Sequence, residues 1–201
     1  MTEYQFTKDW FNWAPEVWTQ LIPLLPGKSG CRTFLEIGSF EGRSTVWIAE
    51  NMMQDGDWIV CIDTWEGGEE HSAEDMAAVE ARFDHNTELF ATKHNYERVI
   101  NKNKGKSTHW LAYEIHEQQS EMDFIYIDGS HKAKDVLTDA CMAWPLLKPK
   151  GVMVFDDYLW TPNARDILHR PKLAIDVFTN LFAEEVEFVH IGYQLVVRKK
   201  G

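Results

Sequence analysis

The chain has 201 residues and a formal net charge of -12 at pH 7, with 44% hydrophobic and 26% charged residues, which is typical of a globular protein long enough to bury a full core. The acidic surplus repels phosphate backbones, so nucleic acid is not an expected partner. No apolar run is long enough to span a bilayer and the N-terminus lacks signal-peptide features, so we expect a cytoplasmic protein without a membrane segment.

The cysteines do not indicate a covalent or metal framework. Cys31, Cys61 and Cys141 are odd in number and form no CxxC pair. This pattern argues against a disulfide framework and against a cysteine-based zinc site. Cys61 and Cys141 lie in apolar surroundings, so we expect them to be small core residues.

Apolar runs typical of strands alternate along the chain with stretches typical of helices, which is the pattern of an α/β fold. Residues 6–25 carry large apolar side chains at helical spacing, which predicts an N-terminal helical cap that packs on the core, with a cover over the site or a subunit contact as the alternative. Five strands are predicted after it, at residues 33–37, 58–62, 108–112, 123–127 and 151–155. Helices are predicted at residues 43–53 and 136–147.

Two short runs near the C-terminus, 186–190 and 193–198, are joined by Ile191 and Gly192, which predicts an antiparallel hairpin. The other strands are continuously apolar, which implies a sheet covered on both faces. We therefore predict a single domain over residues 1–201. Its fold would be α/β and doubly wound, with a mostly parallel seven-stranded sheet and a C-terminal antiparallel hairpin.

The segment 65–101, between the second and third predicted strands, is long for a connection. Ser72 is predicted to cap a helix that begins at Ala73. The segment is a candidate lid over the substrate, and a solvated acidic loop is the alternative interpretation. The residues that suggest a lid lie close to the end of the second strand and are Glu66, Glu69, Glu70 and His71.

A glycine turn follows the first predicted strand. The strand ends at Glu36, and Gly38 and Gly42 come before the next helix. Glycines let a chain turn sharply and approach a ligand closely. The pattern E-x-G-x-x-x-G differs from the G-x-G-x-x-G sequence that cradles a pyrophosphate. It suits S-adenosylmethionine, which has no phosphate but has an ammonium group that the Glu36 carboxylate could receive.

Asp63 ends the second strand, 25 residues after Gly38. A carboxylate at that place can bind both ribose hydroxyls of a nucleoside cofactor. The alternative is a plain tight turn in which Glu36 pairs with a lysine or arginine. The predicted cofactor-binding residues are Glu36, Gly38, Ser39, Gly42, Ser44, Asp63, Tyr113 and Asp128.

Three acidic residues follow the fourth and fifth strands. Asp128 ends the fourth, and Asp156 and Asp157 end the fifth. Carboxylates that converge repel one another unless a cation neutralises them. All-oxygen ligation suits a hard divalent ion, and Mg²⁺ is the ion expected at Asp128, Asp156 and Asp157. The alternative is that these acids form turns or bind substrate without a metal.

His131 follows Asp128 by three residues. A histidine there could take a proton from a substrate hydroxyl and is the predicted catalytic residue. The alternative is a surface or packing histidine.

Three segments resemble class I methyltransferases and, among these, the macrocin-type O-methyltransferases. They are FLEIGSFEGRS at 34–44, FIYIDGSH at 124–131 and WPLLKPKGV at 144–152. The resemblance covers residues 30–160. It implies S-adenosylmethionine as the methyl donor, acidic metal ligands at the ends of the fourth and fifth strands, and His131 as the base.

The sequence therefore predicts metal-assisted methyl transfer to a hydroxyl of a small molecule, with a sugar as one candidate. Three alternatives remain: a related enzyme of different chemistry such as a hydroxylase, a nicotinamide-dependent oxidoreductase, and a cofactor-binding module without catalysis. The missing G-x-G-x-x-G sequence counts against the oxidoreductase. A homo-oligomer is compatible with the sequence, but no segment specifies one.

Overall fold

The computed structural model describes residues 3–27, 30–68, 75–117, 121–161 and 166–201. The described strands are β1 (Thr33–Ile37), β2 (Trp58–Asp63), β3 (Val99–Lys104), β4 (Met122–Ile127), β5 (Leu147–Phe155), β6 (Val186–Ile191) and β7 (Leu195–Lys199). They form one seven-stranded sheet in the order β3-β2-β1-β4-β5-β7-β6. The first five strands run parallel, while β7 is antiparallel to both β5 and β6. The predicted fold class is confirmed.

The helices are α1 (Ala14–Leu21), α2 (Arg43–Asn51), α3 (Met76–Lys93), α4 (Ser107–Glu117), α5 (Ala133–Ala143) and α6 (Pro171–Leu181). Short 3-10 helices occupy Ile22–Leu24, Trp144–Leu146 and Ile167–His169. Helices α1, α2 and α3 pack on one face of the sheet, and α4, α5 and α6 pack on the other. Both faces are therefore covered, as the continuous apolar strands require.

The central strands form because their residues are apolar on both faces. Every residue of β4 is buried. In β1, Leu35 and Ile37 belong to the core under α4, α5 and α6, while Phe34 belongs to the core on the opposite face. Successive side chains of a strand point to opposite faces, so Glu36 points toward the face of α2. This alternation determines what the Glu36 carboxylate can contact.

The predicted third strand is wrong. Residues 108–112 lie inside α4, and the strand that pairs with β2 is Val99–Lys104. That strand lies at the edge of the sheet and most of its side chains are exposed. Because it buries little, its sequence VINKNK carries no apolar run. The apolar residues of 108–112 instead belong to a helix that buries Leu111 and Glu114.

The N-terminal helix is shorter than predicted. Residues 6–25 were expected to be helical, but α1 begins at Ala14.

Helix α3 begins at Met76, where the Asp75 side chain accepts hydrogen bonds from two backbone amides of the first turn. The predicted helix start at 72–73 and the acidic stretch at 69–71 lie outside the described residues.

Cys61 is buried and Cys141 packs half-buried against the core, as expected, while Cys31 is exposed.

Among the helices of the described residues, none has both the length and the apolar character that crossing a membrane requires. The extent of the domain stays a prediction.

Candidate active site

The carboxyl ends of the parallel strands meet at one edge of the sheet, and most predicted site residues lie there. β1 and β4 are neighbours in register, with Ile37 beside Ile127. Backbone pairing continues past the strand ends, because the amide of Gly38 donates to the Ile62 oxygen and the amide of Asp128 donates to the Ile37 oxygen, both at 2.8 Å. The glycine turn and the first acidic residue are therefore held side by side.

Gly38 has no room for a side chain. Its φ is +88°, and a Cβ atom on it would lie 2.0 Å from the backbone oxygen of Asp128. Gly42 precedes α2 with a φ of +78°, and its Cβ would lie 3.0 Å from the ring of Phe83. Both positions require glycine, the first because the backbones touch and both because L side chains disfavour this conformation.

The Glu36 carboxylate lies inside the protein. It is fully buried and accepts a hydrogen bond from the Ser44 hydroxyl at 2.6 Å and another from the Thr45 hydroxyl. Burial raises the pKa of Glu36, and the hydroxyl donors partly offset that effect. The Ser39 side chain lies beside it and is also buried. In this structure the carboxylate holds the first turn of α2 against β1, and its role in receiving an ammonium group stays a prediction.

Asp63 holds the glycine turn through backbone amides. Its Oδ2 accepts from the amides of Ser39 and Phe40, both at 2.9 Å, and its Oδ1 accepts from the amide of Trp65 at 2.8 Å. The indole N–H of Trp65 donates to the Phe40 carbonyl oxygen at 2.8 Å. A partly exposed carboxylate therefore stands beside the glycine turn, where the sequence places it.

Tyr113 is the predicted site residue that the structure separates from the others. It lies within α4, is 54% exposed, and does not follow a strand. Because α4 begins at Ser107 and rises about 1.5 Å per residue, Tyr113 lies about two turns away from the edge. The residue at the edge is Ser107, whose hydroxyl donates to the buried Asp139 carboxylate at 2.6 Å. The role of Tyr113 in cofactor binding stays a prediction.

Asp128 and Asp156 share a buried tyrosine. The Tyr126 hydroxyl lies 2.9 Å from Asp128 Oδ2 and is also within hydrogen-bond distance of Asp156 Oδ2. The Gln194 amide donates to Asp156 Oδ2 at 2.9 Å, and the Asp157 backbone amide donates to Asp156 Oδ1 at 2.7 Å. Both oxygens of Asp156 are therefore occupied by protein donors.

Burial and mutual repulsion raise the pKa of these carboxyl groups. The pKa of Asp128 lies well above its ordinary value because the group is buried and because Asp156 and Asp157 carry like charges nearby. The pKa of Asp156 rises to about 6 through burial and the charge of Asp157, with Tyr126 and Gln194 partly offsetting the rise. Either protons or a cation relieve such repulsion.

His131 contacts the acidic cluster directly. Its Nε2 lies 2.7 Å from Asp157 Oδ2, and its ring lies against Trp160 with centroids 4.1 Å apart. One ligand atom each from Asp128, His131 and Asp157 lie within 4.8 Å of one another, a spacing that could hold a metal ion. The structure thus groups His131 with two of the predicted ligands, and Asp156 is not part of that group.

Three residues that hold the acids were not predicted from the sequence. Tyr126 is a buried residue inside an apolar strand, and only its hydroxyl distinguishes it from the rest of the core. The Tyr193 hydroxyl donates to Asp157 Oδ1 at 2.7 Å, and Gln194 holds Asp156. No local signal marks Tyr193 or Gln194, because their partners lie 36 and 38 residues earlier in the chain.

The N-terminal segment before α1 lies against the glycine turn. The Thr7 amide and hydroxyl donate to the Glu41 carboxylate at 2.6 and 2.7 Å, and Arg82 donates to it at 2.6 Å. The Asn86 side chain exchanges hydrogen bonds with the backbone of Gln5 at 2.7 and 3.0 Å, and donates to the Glu41 carbonyl oxygen at 2.8 Å. These bonds tie the N-terminal segment to the predicted cofactor loop.

Residues 35–158 match a family described as a methyltransferase domain, and the match covers well over half of the chain. The chain belongs to this methyltransferase family. The matched region contains the glycine turn, Asp63, the acidic cluster and His131. The predicted class I methyltransferase membership is confirmed. Comparison of this methyltransferase with curated proteins gave no match.

Solved structures share the fold of this methyltransferase. The O-methyltransferase from Bacillus cereus, in complex with SAH, is 19% identical with a TM-score of 0.63, over 99% of this chain and 84% of that one. TomG from Streptomyces achromogenes, an O-methyltransferase of tomaymycin synthesis in complex with SAM, is 17% identical with a TM-score of 0.65, over 90% and 77%. MycE of the mycinamycin pathway, in complex with Mg and SAH, is 15% identical with a TM-score of 0.58, over 98% and 50%.

Proposed function

We propose that this methyltransferase transfers the methyl group of S-adenosylmethionine to a hydroxyl of a small molecule, with the help of a divalent metal. Three structures of the same fold support the cofactor, since two contain SAH and one contains SAM. The resemblance of the site segments to macrocin-type O-methyltransferases supports the hydroxyl acceptor. The net charge of -12 argues against a nucleic-acid acceptor.

The contact between the glycine turn and the acidic cluster carries this proposal. The backbone of Gly38 touches that of Asp128 so closely that a Cβ would overlap it. A cofactor that lies over the glycine turn would therefore end next to Asp128 and His131. Methyl transfer requires the donor carbon and the acceptor oxygen to be held close and in line, and this edge of the sheet offers a place for each.

Asp63 is the proposed ligand of the ribose hydroxyls. Its carboxylate already accepts from the amides of Ser39 and Phe40, and carboxylate oxygens have capacity for further donors. Gly38 and Gly42 allow the close approach of the cofactor. Glu36 acts at a distance from the cofactor, because it fixes the start of α2 through buried hydroxyls.

In the proposed reaction, a bond forms between the acceptor oxygen and the methyl carbon while the carbon–sulfur bond breaks, and the sulfonium becomes a thioether. The hydroxyl proton passes to His131. An ionised Asp157 only accepts hydrogen bonds, so the histidine Nε2, 2.7 Å from Asp157 Oδ2, donates to it. Asp157 then stabilises the imidazolium that results.

The acidic cluster fits a hard divalent ion, and Mg²⁺ is the ion that we propose. Asp128 and Asp157 belong both to the ligand set predicted from the sequence and to the group that the structure assembles, so we assign the ion to these two carboxylates. The pKa of Asp128 is raised by burial and, after it, by the like charges of Asp156 and Asp157, and a cation would relieve this repulsion. When bound, such an ion would make the acceptor hydroxyl more acidic.

Asp63→Ala is expected to weaken the binding of S-adenosylhomocysteine about tenfold or more, because a hydrogen bond to a charged group contributes about 1.5–3 kcal/mol. Isothermal titration calorimetry measures the effect. The matched control is Asp55→Ala, which removes an exposed carboxylate that pairs with Arg98 at 3.2 Å before β2 begins. Wild-type affinity in Asp63→Ala, with the control also unchanged, would remove Asp63 from the site.

Asp128→Asn is expected to lower the affinity for Mn²⁺, used as a probe for Mg²⁺, by about tenfold or more. Asp156→Asn should have a smaller effect, since Asp156 is not part of the group of ligand atoms that lie within 4.8 Å of one another. The control is Asp139→Asn, which alters another buried carboxylate whose pKa is raised to about 6 but which is bonded to Ser107 outside the cluster. Equal Mn²⁺ affinity in wild type, Asp128→Asn and Asp139→Asn would contradict the metal assignment.

The remaining alternatives make different predictions for methyl transfer. A cofactor-binding module would bind S-adenosylmethionine but would not release S-adenosylhomocysteine with any hydroxylated acceptor. The proposed enzyme would release it, and a chelator would reduce the rate. Assays with small phenols and sugars as acceptors, with and without chelator, distinguish these outcomes.

A further inference from the structure

The turn between β6 and β7 reaches the acidic cluster with two adjacent side chains. The Tyr193 hydroxyl donates to Asp157 Oδ1 at 2.7 Å, and the Gln194 amide donates to Asp156 Oδ2 at 2.9 Å. Neighbouring residues of the turn therefore hold neighbouring residues after β5. A bond to one carboxylate could be incidental, but here each of the two acids has its own donor.

The register of the sheet explains this pairing. β5 and β7 are antiparallel, and their last described pair is Phe155 with Leu195. Continuing that register by one step sets Asp156 opposite Gln194, and a second step sets Asp157 opposite Tyr193. The C-terminal hairpin thus brings the two donors to the edge of the sheet without any further loop.

The N-terminal helix region supports both donors from behind. The indole N–H of Trp18 donates to Gln194 Oε1 at 2.7 Å, and both side chains are fully buried. The ring of Trp13 packs edge-on against the ring of Tyr193 with centroids 5.2 Å apart. Each donor therefore has a tryptophan partner that limits its movement.

The two acids have different partners. Asp156 has both oxygens bonded, one to Asp157 N–H and one to Tyr126 and Gln194. Asp157 has Oδ1 bonded to Tyr193, and its Oδ2 is directed to His131 at 2.7 Å. Asp157 also adopts a φ of +56°, a conformation that is uncommon outside glycine and asparagine-like residues. Both acids thus have both oxygens bonded, and Asp157 is the one that lies with Asp128 and His131 in the group that could hold a metal ion.

We propose that Tyr193 and Gln194 are positioning residues, each of which fixes the orientation of a different one of two adjacent carboxylates. Gln194 retains Asp156 as an internal acceptor, and Tyr193 presents Asp157 to the ion and to His131. The inference rests on the metal-assisted reaction proposed above. Neither residue touches the reacting atoms, so both act through the carboxylates that they hold.

The test is calorimetric titration of the whole chain with Mn²⁺ alone. Tyr193→Phe removes only the hydroxyl and keeps the ring that packs on Trp13, so the fold should be unaffected. Removing a partner that orients a metal ligand typically lowers affinity about 10–100-fold, and we expect a loss in that range. The matched control is Tyr96→Phe, which removes a tyrosine hydroxyl that donates to the Glu88 carboxylate at 2.6 Å, on the α3 side of the sheet.

A second variant separates positioning from packing. Gln194→Glu keeps an acceptor for the Trp18 indole but replaces the donor that faces Asp156 with an oxygen. If Gln194 only supports Trp18, this variant binds Mn²⁺ like wild type, whereas the proposal expects a measurable loss of affinity that is smaller than the loss in Tyr193→Phe, because Asp156 is not itself assigned to the ion. In both variants the affinity for S-adenosylhomocysteine should stay at the wild-type value, because Tyr193 and Gln194 bond Asp157 and Asp156, whereas the glycine turn and Asp63 follow β1 and β2.

Wild-type Mn²⁺ affinity in Tyr193→Phe would overturn the proposal, and so would wild-type affinity in Gln194→Glu. A loss in both variants, with Tyr96→Phe unchanged, would support it. If the wild-type protein itself bound no Mn²⁺, the metal part of the proposed function would fail and the positioning role with it. If instead the wild-type protein and both variants all bound Mn²⁺ with the same affinity, only the positioning role would be contradicted and the metal site would stand.

Discussion

Gly38→Ala is expected to lower the free energy of unfolding by about 2–5 kcal/mol and to abolish measurable binding of S-adenosylhomocysteine. A left-handed backbone costs a non-glycine residue about 1–2 kcal/mol, and forcing atoms into a packed site costs about 1–3 kcal/mol more. The new Cβ would lie 2.0 Å from the Asp128 oxygen. β1 and β4 would have to separate at the point where the cofactor turn meets the acids.

Gly42→Ala is the matched control for this change. Gly42 has a similar φ, +78° against +88°, so the conformational cost should be about the same. Its Cβ would meet the ring of Phe83 at 3.0 Å, and a side chain can move where a backbone cannot. Urea unfolding of both variants isolates the cost of the backbone overlap. Equal stability of the two would show that the Gly38 contact does not constrain the fold.

His131→Ala is expected to reduce methyl-transfer turnover by about 10²- to 10⁴-fold, which is the usual contribution of a positioned base. The affinity for S-adenosylhomocysteine should not change, because His131 contacts Asp157 and Trp160 after β5, whereas the glycine turn and Asp63 follow β1 and β2. The pH–rate profile should lose its rise on the acidic side. Steady-state kinetics over a range of pH measures both effects.

His131→Gln separates catalysis by the base from catalysis by the metal. Glutamine keeps a polar group near Asp157 but does not accept a proton at neutral pH. If His131 is the base, this variant is as slow as His131→Ala. If it retains most of the wild-type rate and the same pH dependence while Mn²⁺ still binds, the acidic cluster alone activates the hydroxyl and His131 only contacts substrate.

The fold could be predicted wherever a strand is buried on both faces. β1, β2, β4 and β5 stand out as apolar runs because helices cover them on either side. β3 could not be found in the same way, since an edge strand buries little and its sequence VINKNK is mostly polar. The third strand was predicted at 108–112 because a short apolar run fits either a strand or the buried side of a helix. In the structure these residues belong to α4.

The sequence predicts only those site residues that directly follow a strand. Asp63, Asp128 and the pair at 156–157 all follow apolar runs, so topology alone brings them to one edge. The sequence does not show how each carboxylate is bonded there. Glu36 proves to be internal because alternation along β1 directs it under α2.

The residues that hold the acids depend on contacts between distant parts of the chain. Trp18 and Gln194 are 176 residues apart in the sequence, and neither belongs to a recognisable motif. Their pairing follows from the register of the C-terminal hairpin, which no local pattern specifies to a single residue. Tyr113 directly follows the run 108–112, but that run lies within α4, so no strand end places Tyr113 at the edge of the sheet.

The central claim, that the glycine turn binds S-adenosylmethionine, is tested most directly by titrating the wild-type protein with S-adenosylhomocysteine and, separately, with NAD. Calorimetry requires no knowledge of the acceptor. The structure predicts saturable binding of S-adenosylhomocysteine and no binding of NAD, because the turn lacks the G-x-G-x-x-G sequence that cradles a pyrophosphate. Binding of NAD without binding of S-adenosylhomocysteine would contradict this account and would favour a nicotinamide-dependent enzyme.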